Sequence, residues 1–395
     1  MTINKEKNMS RKMYVVMSLV LAFAFVMAAC APAATPTEAP KPAATEAPAM
    51  TEAPAATEAP AVDPMAALVE ESKNEKDGLL VYSIMGENNW APVIKAFNAK
   101  YPWITVTALD LGTTETFERY YTESAGGART ADMIITSAPG EWQEFIAKGE
   151  LQVYEPVNAA GLPDFAKLAD GVYAVSTDPF VLIWNKALVP NPPSSLADVA
   201  KLAADPAYQG KITTYDVEKN GTGHAMNWFW IKKMGDAGWT TLGEIGKSNV
   251  NMQTSAGNMV KAVLSGEAAI GYFVSGISVF PKYPDAEPVM GWAYDKSGQV
   301  VVVRGMGITA KASSPASAKL LMEFILSSEG QLAWSEGGLT AYRPDVAGQA
   351  EHHLQKIIDA VGADNVIYFY FDPDMASAAN RQAFVDKWKT ALGRP

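Results

Sequence analysis

The chain has 395 residues, a formal net charge of −11 with neutral histidines, 48% hydrophobic residues and one cysteine. At about 150 residues per domain, this length predicts two globular domains or lobes and a further segment. The negative charge argues against nucleic acid and anionic lipid surfaces as partners, because both require clustered lysine and arginine. One cysteine cannot form an internal disulfide or a cysteine-based metal site, and three histidines leave little for a histidine-rich one. We therefore expect no cofactor and no resident metal.

The first 29 residues have the pattern of a signal peptide. An apolar run from residue 14 to residue 27 is shorter than the about 20 residues that span a membrane, and four basic residues precede it: Lys5, Lys7, Arg11 and Lys12. The run ends in Ala28-Ala29-Cys30, which resembles a bacterial lipoprotein signal, in which the cysteine is lipidated and becomes the first mature residue. An ordinary secretory peptide with an unrelated cysteine is the alternative. We predict a lipid anchor at Cys30 on the extracellular or periplasmic face of the cell membrane.

Residues 30–64 predict a tether between this cysteine and the rest of the chain. The segment consists mainly of Pro, Ala, Thr and Glu, and Thr-Glu-Ala-Pro recurs at 37–40, 45–48, 51–54 and 57–60. Ordering such a segment costs conformational entropy and buries almost no apolar surface, so we expect it to be disordered and semi-extended.

The body, from about residue 65, opens with alternating strand and helix patterns. Trp90, Val93, Ile94 and Phe97 form the apolar stripe of a helix. The predicted elements are a strand at 79–83, a helix around 90–97, a strand at 104–111, a helix at 114–123, a strand at 133–135 and a helix at 142–149. Such units imply a parallel sheet covered on both faces, with ligands beyond the carboxyl ends of its strands. Residues 83–89, 112–114 and 136–140 are then expected on one rim.

A second unit follows a long extended apolar stretch at 173–185. Its predicted elements are a helix at 196–204, a strand at 212–216, a helix at 225–234, a strand at 249–252, a helix at 258–265 and a strand at 268–273. A last extended run at 300–310 precedes Ser314-Pro315, which predicts an N-cap and a first-turn proline of a further helix.

Several segments together resemble a known family. They are "ADMIITSAPGEW", "VLIWNKALVP", "GEAAIGYF", "ITAKASSPASAKLLMEFILSSEGQ" and "GGLTAYRPDV". The chain resembles the extracellular solute-binding lipoproteins of ABC transporters, in the subgroup of ferric-ion, phosphonate and thiamine binders. This resemblance implies a monomeric α/β protein of the type II periplasmic-binding-protein fold, which clamps a small-molecule solute between two lobes and delivers it to a cognate permease. Lobe one would comprise 65–175 and 307–395, and lobe two, with two interlobe crossovers, 176–306.

The ferric ligands of the resembled subgroup are not found at the matching positions. Where ferric binders have a histidine, a glutamate and a tyrosine pair, this chain has Gly86, Ser137 and Gly276-Ile277. Ferric iron requires hard anionic oxygens, which these residues do not supply. Tyr368 and Tyr370 could substitute, but an ordinary alternating strand is the favoured interpretation of "YFYF". A ferric-ion or polyamine receptor remains the alternative within the family.

The expected rims carry hydroxyl groups and the beginnings of helices, which suit a carboxylate, phosphonate or phosphate ester. The hydroxyl candidates are Ser83, Thr113, Thr114, Ser137, Thr222, Ser255 and Ser275. Arg304, at the second crossover, would contribute either an anion contact or an interlobe ion pair. His224 is a weaker candidate for a contact with the ligand. Four aromatic residues could stack on a ligand, and Trp184 is retained among them: Trp142, Trp184, Trp228 and Tyr272.

The sequence contains only incomplete matches to the enzyme motifs that we considered. Gly246-Lys247-Ser248 ends like a phosphate-binding loop, but Thr241 stands where that loop requires glycine. Gly305 to Ala310 fits a loose dinucleotide pattern but continues a strand. We predict no catalytic residues and a receptor for a small oxyanionic solute; a surface hydrolase of small esters or phosphates is the alternative from another class.

Overall fold

In a computed structural model, residues 64–394 are described. The predicted signal peptide, Cys30 and almost all of the tether lie outside these residues. The described part contains twelve strands: β1 (Leu79–Ser83), β2 (Val106–Asp110), β3 (Met133–Thr136), β4 (Leu151–Gln152), β5 (Lys167–Ala169), β6 (Val172–Asn185), β7 (Ile212–Tyr215), β8 (Asn251–Gln253), β9 (Ile270–Ser275), β10 (Met290–Ala293), β11 (Gln299–Thr309) and β12 (Val366–Phe369).

The same residues contain fifteen α-helices: α1 (Pro64–Lys73), α2 (Glu87–Lys100), α3 (Glu115–Ala125), α4 (Pro139–Ala147), α5 (Leu196–Ala203), α6 (Gly221–Met234), α7 (Asp236–Gly246), α8 (Ala256–Ser265), α9 (Gly276–Val279), α10 (Tyr283–Ala286), α11 (Pro315–Leu326), α12 (Ser328–Glu336), α13 (Leu354–Val361), α14 (Pro373–Ala376) and α15 (Ala378–Ala391). None of these helices is long and apolar enough to cross a membrane.

The strands form one mixed network in the order β2-β1-β3-β11-β6-β9-β7-β8. The expected parallel arrangement is found in β1, β2 and β3 and again in β7, β8 and β9. β6 and β11 pair antiparallel and pass from one lobe to the other, because β6 pairs with β11 along its first half and with β9 along its second. Nearly every residue of both strands is buried, as expected for strands covered on both faces. The two predicted crossovers are these strands.

Each lobe has its own apolar core. The first lobe buries Trp90, Phe97 and Trp334 around β1, β3 and α11. The second lobe buries Trp230 and Tyr272, among others, around β7 and β9. The two cores meet at β6 and β11, so the surfaces between the lobes are positioned by these strands.

The C-terminal segment departs from the expected division. From Ile367 to Leu392, the buried apolar side chains of this segment belong mainly to the second-lobe core and not to lobe one. Phe384, Val385 and Trp388 are among them. The Trp388 indole N–H donates to Asn227 Oδ1 at 3.2 Å, and Lys232 pairs with Asp372 at 2.8 Å. This difference arises from a tertiary contact. The buried face of α15 packs against α7, a helix that the sequence patterns did not predict.

The N-terminal helix α1 was also not predicted from the sequence. Leu68 packs into the first-lobe core, and Glu75, just beyond the helix, accepts hydrogen bonds from the backbone N–H groups of Ala316 and Ser317 at 2.7 and 3.0 Å. The Glu75 carboxylate thereby caps the first turn of α11. Ser314, the expected N-cap, instead donates its hydroxyl to the Asp77 carbonyl at 2.7 Å.

Candidate ligand-binding cleft

A cleft of ≈ 580 Å³ lies between the two lobes. This volume is within the range of small-molecule sites in proteins, about 300–1,000 Å³. The first-lobe wall consists of residues that follow the carboxyl ends of β1, β2 and β3, as the parallel strand order predicts: residues 84, 86–89, 110–113 and 137. The second-lobe wall follows β7, β8 and β9: residues 215, 220, 222, 254–257, 275, 277–278 and 281–282.

Arg304 lies where the crossover strand β11 meets the cleft. It is 1% exposed, and its Nε and Nη2 donate to Asp178 Oδ2 on β6 at 3.1 and 2.9 Å. Asp178 also accepts the Ser176 hydroxyl at 2.6 Å and the Thr340 N–H at 2.9 Å, so its oxygens are well satisfied. The Nη1 atom of Arg304 is buried and has no hydrogen-bond partner. Arg304 therefore forms an ion pair between the two crossover strands, and its Nη1 remains a charged donor without a protein partner in the cleft wall, so its contact with an anion stays a prediction.

Tyr215, at the carboxyl end of β7, is a cleft residue that the sequence analysis missed. Burial raises the pKa of its hydroxyl, and the Arg304 charge acts weakly against this, so the hydroxyl remains a donor at neutral pH. Helix α6 begins directly above the ring. A Cβ at Gly223 would stand 2.5 Å from the Tyr215 Cβ, so only glycine permits this close approach. The position at a strand end in the second unit was the available clue.

The second-lobe helices begin with capped turns. Asn220 Oδ1 accepts the Gly223 N–H at 2.6 Å, and Ser255 Oγ accepts the Asn258 N–H at 3.2 Å. Both side chains also line the cleft. Ser255 is thus a cap residue that presents its hydroxyl group to the cleft as well.

Three side-chain hydrogen bonds connect the lobes across the cleft. The Thr222 hydroxyl shares hydrogen bonds with the hydroxyls of Ser137 at 2.9 Å and Thr113 at 3.2 Å. The Asn89 amide donates to the Ile277 carbonyl at 3.3 Å. The two walls therefore touch each other in this structure.

Six of the nine expected ligand residues line the cleft: Thr113, Ser137, Thr222, Ser255, Ser275 and Arg304. The other three do not. Ser83 is fully buried and accepts the Trp90 indole N–H at 3.0 Å, whereas Thr114 faces Glu141 at 3.4 Å. Trp184 packs its ring against Gly291 on β10, because the strand alternation turns it away from the cleft.

The remaining aromatic candidates and His224 pack inside the lobes and do not face the cleft. The rings of Trp142 and Tyr272 are buried in cores, and the Trp228 N–H donates to Asp372 at 3.0 Å. His224 stacks on Phe384 at 5.3 Å, and burial lowers its pKa to about 4, with a smaller contribution from Arg381. None of these four lines the cleft.

The positions of the ferric ligands do lie at the cleft, but they carry no anionic oxygen. Gly86, Ser137 and Ile277 all line it. Over residues 64–394, no group of three or more His, Cys, Asp or Glu side chains is arranged to hold a metal ion. Tyr368 stacks on Phe165 at 5.5 Å and Tyr370 is 46% exposed, both in the alternating pattern of a strand end. The cleft chemistry therefore differs from that of a ferric centre.

Three charged residues of the cleft were not among the ligand candidates chosen from the sequence, although Glu87 lies within the expected rim. Glu87 and Asp110 belong to the first-lobe wall and Lys282 to the second. Burial raises the pKa of the Asp110 carboxyl above its usual value. The cleft therefore has an acidic side in the first lobe, opposite a wall of hydroxyls.

Residues 92–357 match the model of the family described as bacterial extracellular solute-binding protein. A curated relative from Salmonella typhimurium, named "Putative 2-aminoethylphosphonate-binding periplasmic protein", is 26% identical over 287 residues, or 69% of this chain and 81% of the relative.

Two solved structures share the fold. The substrate-binding protein of an ABC transporter from Agrobacterium tumefaciens superimposes with a TM-score of 0.73 at 24% identity, covering 81% of this chain and 95% of that one. The periplasmic binding protein AfuA from Actinobacillus pleuropneumoniae, with exogenous fructose-6-phosphate bound, gives 0.63 at 18% identity, covering 80% and 98%. With the family model matching about two thirds of its length, this chain belongs to the bacterial extracellular solute-binding proteins, a family of receptors with two α/β lobes.

Proposed function

We propose that this protein is the solute receptor of an ABC importer, and that it captures a small oxyanionic solute between its lobes for delivery to a permease. The solute carries a phosphonate, phosphate-ester or carboxylate group. The observation that supports this most strongly is the buried Nη1 of Arg304, a charged donor without a partner in the cleft wall.

The groups around Arg304 suit the same chemistry. Charge-assisted hydrogen bonds from arginine to an oxyanion are about twice as strong as neutral ones. The Tyr215, Ser255 and Thr222 hydroxyls line the same cleft and can donate to further oxygens of the anion. Helices α6 and α8 begin there as well, and their first turns favour negative charge. The name of the Salmonella relative, which refers to a phosphonate, supports the same ligand class.

A thermal-shift screen tests the ligand class. A ligand that binds only the folded state stabilises it by about 2.7 kcal/mol at a hundredfold excess over Kd. We expect a clear rise in Tm with methylphosphonate, inorganic phosphate, phosphate esters or small carboxylates. Ferric citrate should give no visible tyrosinate-to-iron absorption band. A coloured ferric complex would contradict the proposal.

Titration calorimetry on an Arg304 variant tests the anchor. Because removing one charge would leave Asp178 buried and unpaired, the informative variant is Arg304→Gln combined with Asp178→Asn. We expect affinity for the best oxyanion to fall more than tenfold, since a buried anion loses its charged donor. Arg119→Gln, at a half-exposed arginine paired with Glu123 outside the cleft, is the control and should bind normally. Unchanged affinity in the double variant would refute the Arg304 site.

We also propose that Cys30 is lipidated and holds the receptor on the membrane. The sequence supports this through the basic residues, the short apolar run and the placement of the chain's single cysteine after Ala28-Ala29. Cys30→Ser should therefore give unprocessed or released protein in membrane fractionation. A Cys30→Ser protein that remains membrane-bound and is cleaved at the same place would contradict the anchor.

A further inference from the structure

Building on the proposed function, we propose that a ring stack between His352 and Phe280 joins the two lobes in the closed receptor, and that it makes closure depend on pH. While His352 is neutral, the lobes close around the solute. When His352 is protonated, the open form is favoured and affinity for the solute falls. The pH range of this device is the one near neutrality in which histidine titrates.

His352 and Phe280 belong to different lobes. Their rings are the closest pair among residues 64–394, with centroids 4.2 Å apart and an angle of 13° between the ring planes. Phe280 is buried in the second-lobe core and also packs on Trp292 at 5.0 Å. The His352 backbone is held in the first lobe, where its N–H donates to the Ser335 hydroxyl at 2.8 Å and its carbonyl accepts the Ala341 N–H at 3.0 Å. The stack therefore crosses from one lobe to the other.

Two neighbouring contacts place this stack in the surface between the lobes. Pro281, which follows Phe280 and lines the cleft, lies directly over Gly338 of the first lobe. A Cβ on Gly338 would stand 2.5 Å from the Pro281 Cγ. The Asn89 amide of the first lobe donates to the Ile277 carbonyl at 3.3 Å, three residues before Phe280. One short second-lobe segment thus touches the first lobe at three points, and we expect all three contacts to change when the lobes separate.

The surroundings of His352 favour its neutral form. Burial makes the largest contribution and lowers the pKa of the imidazole below its usual value. Among the charged groups around the ring, Glu351 and Asp178 act in the opposite direction, whereas Lys356 acts in the same direction as burial. The second lobe presents the uncharged Phe280 ring to it. Burial therefore outweighs the two carboxylates in the closed receptor.

Opening the lobes uncovers the imidazole on the side of Phe280. Its pKa then rises toward the ordinary value of 6.5. Because the closed form binds the proton less tightly, affinity falls as the pH drops below 6.5, by up to about tenfold for each pH unit. A protonated imidazole is attracted to the face of an aromatic ring, but this gain does not replace the water lost from a buried charge. The exposed Lys282, two residues beyond Phe280, adds positive charge on that side and does not favour the protonated form.

The other two histidines do not have this position. Burial lowers the pKa of His224 to about 4, so it titrates below the range considered. His353 makes its contacts within the first lobe: its Nδ1 accepts the Gln355 N–H at 3.0 Å and its Nε2 lies 2.9 Å from the Arg343 carbonyl oxygen. Lobe opening leaves these contacts in place. His353 is therefore the matched control for His352.

Calorimetric titration with methylphosphonate at pH 7.5 and pH 5.5, on the purified full-length protein in detergent, tests the coupling. His352→Phe keeps a ring on Phe280 and cannot titrate. Comparing it with wild type at each pH cancels the protonation of the ligand itself. We expect affinities within about twofold at pH 7.5, and at least about fivefold tighter binding by His352→Phe at pH 5.5. His353→Asn, which retains a capping side chain for α13, should follow wild type at both values.

Imidazole NMR of the wild-type protein gives a second measurement that needs no variant with altered packing. The sequence has three histidines, so each signal can be assigned by substitution. The pKa of His352 should be lower with saturating methylphosphonate than without it, and that of His353 should stay the same. A thermal melt of each variant without ligand verifies that it is folded.

The possible results separate this inference from the proposed function. An affinity ratio between His352→Phe and wild type that is the same at both pH values, or a His352 pKa that the ligand does not change, overturns the pH coupling and leaves the oxyanion receptor. If no oxyanion binds in the screen, the proposed function fails, and small-angle X-ray scattering without ligand tests the stack by itself. At pH 5.5 wild type should then have a larger radius of gyration than His352→Phe, and equal radii overturn the inference.

Discussion

The two walls of the cleft use their polar residues differently. In the second lobe, α6 and α8 are capped by the side chains of Asn220 and Ser255, and Arg304 is paired with Asp178. In the first lobe, the N-cap residues of α2, α3 and α4 are Gly86, Thr114 and Ala138, and none of these residues forms a side-chain cap hydrogen bond. The helix starts of the second wall are thus capped by their own side chains and those of the first wall are not, and the unpartnered charged donor of the cleft is Nη1 of Arg304.

The largest expected effect concerns the buried ion pair. Arg304→Ala leaves the Asp178 charge buried and unpaired, so we expect a loss of about 3–5 kcal/mol in the free energy of unfolding. Asp110→Ala, in the opposite wall, should change it by less than about 0.5 kcal/mol, because this exposed side chain has no partner to lose. Urea unfolding without ligand measures both. Similar losses in the two variants would remove the contrast between the walls.

The pH dependence of stability should differ in sign between the walls. His224, packed behind the second wall, has its pKa lowered from 6.5 to about 4 by burial. Between these values the unfolded chain binds the proton more tightly, so stability falls as the pH drops from 6.5 to 4. We expect this residue to contribute up to about 3 kcal/mol of that loss. Thermal unfolding at pH 7 and pH 4.5 should show a smaller loss in His224→Gln.

Asp110 provides the matching measurement in the first wall. Its pKa is raised by burial, so its charged form is disfavoured in the folded state, and stability decreases as the pH rises through 3.8 and beyond. Asp110→Asn should remove this decrease in the ligand-free protein. An effect of the same sign as that of His224 would contradict the environment described for Asp110.

An intermediate effect is expected at the contact between the walls. Thr222→Val keeps the shape of the side chain and removes the hydrogen bonds to Ser137 and Thr113. At about 0.5–1.5 kcal/mol for each bond, ligand affinity should fall several-fold. Small-angle X-ray scattering should show a larger radius of gyration at subsaturating ligand than for wild type. The same radius and affinity as wild type would mean that these contacts do not stabilise closure.

The smallest effect is a matched pair of cap variants. Ser255→Ala removes the hydrogen bond to the Asn258 N–H and should cost about 1 kcal/mol of stability. Thr114→Ala occupies the corresponding position of α3 but loses no cap bond, so a few tenths of a kcal/mol are expected. Chemical denaturation resolves the difference. Equal costs would show that the caps of the two walls are equivalent.

Apolar periodicity was sufficient to predict the strands and most of the helices that build the walls. β6 and β11 are long apolar runs, and their role as crossovers followed from the family resemblance. Helix α6 begins at Gly221, four residues before its expected start, because its first turn is specified by the Asn220 cap and not by apolar residues.

The parts that could not be predicted depend on contacts between distant segments. Arg304 and Asp178 are 126 residues apart, and nothing local to either residue shows that they pair. Asp110 ends a half-exposed strand, and its isolation is defined only by the groups around it in the fold. The docking of α15 on the second lobe likewise depends on a surface that several helices create together.

The return of the C-terminal segment to the second lobe has a mechanical consequence. Together with β6 and β11, the connection that leads into β12 passes between the lobes, and β12 runs alongside β11 from Val366 to Phe369. Two adjacent connections permit both bending and twisting of one lobe relative to the other, whereas three connections side by side restrict this motion to rotation about a single axis. The cleft then opens and closes along a single path, so its two walls separate and come back together with the same residues facing each other.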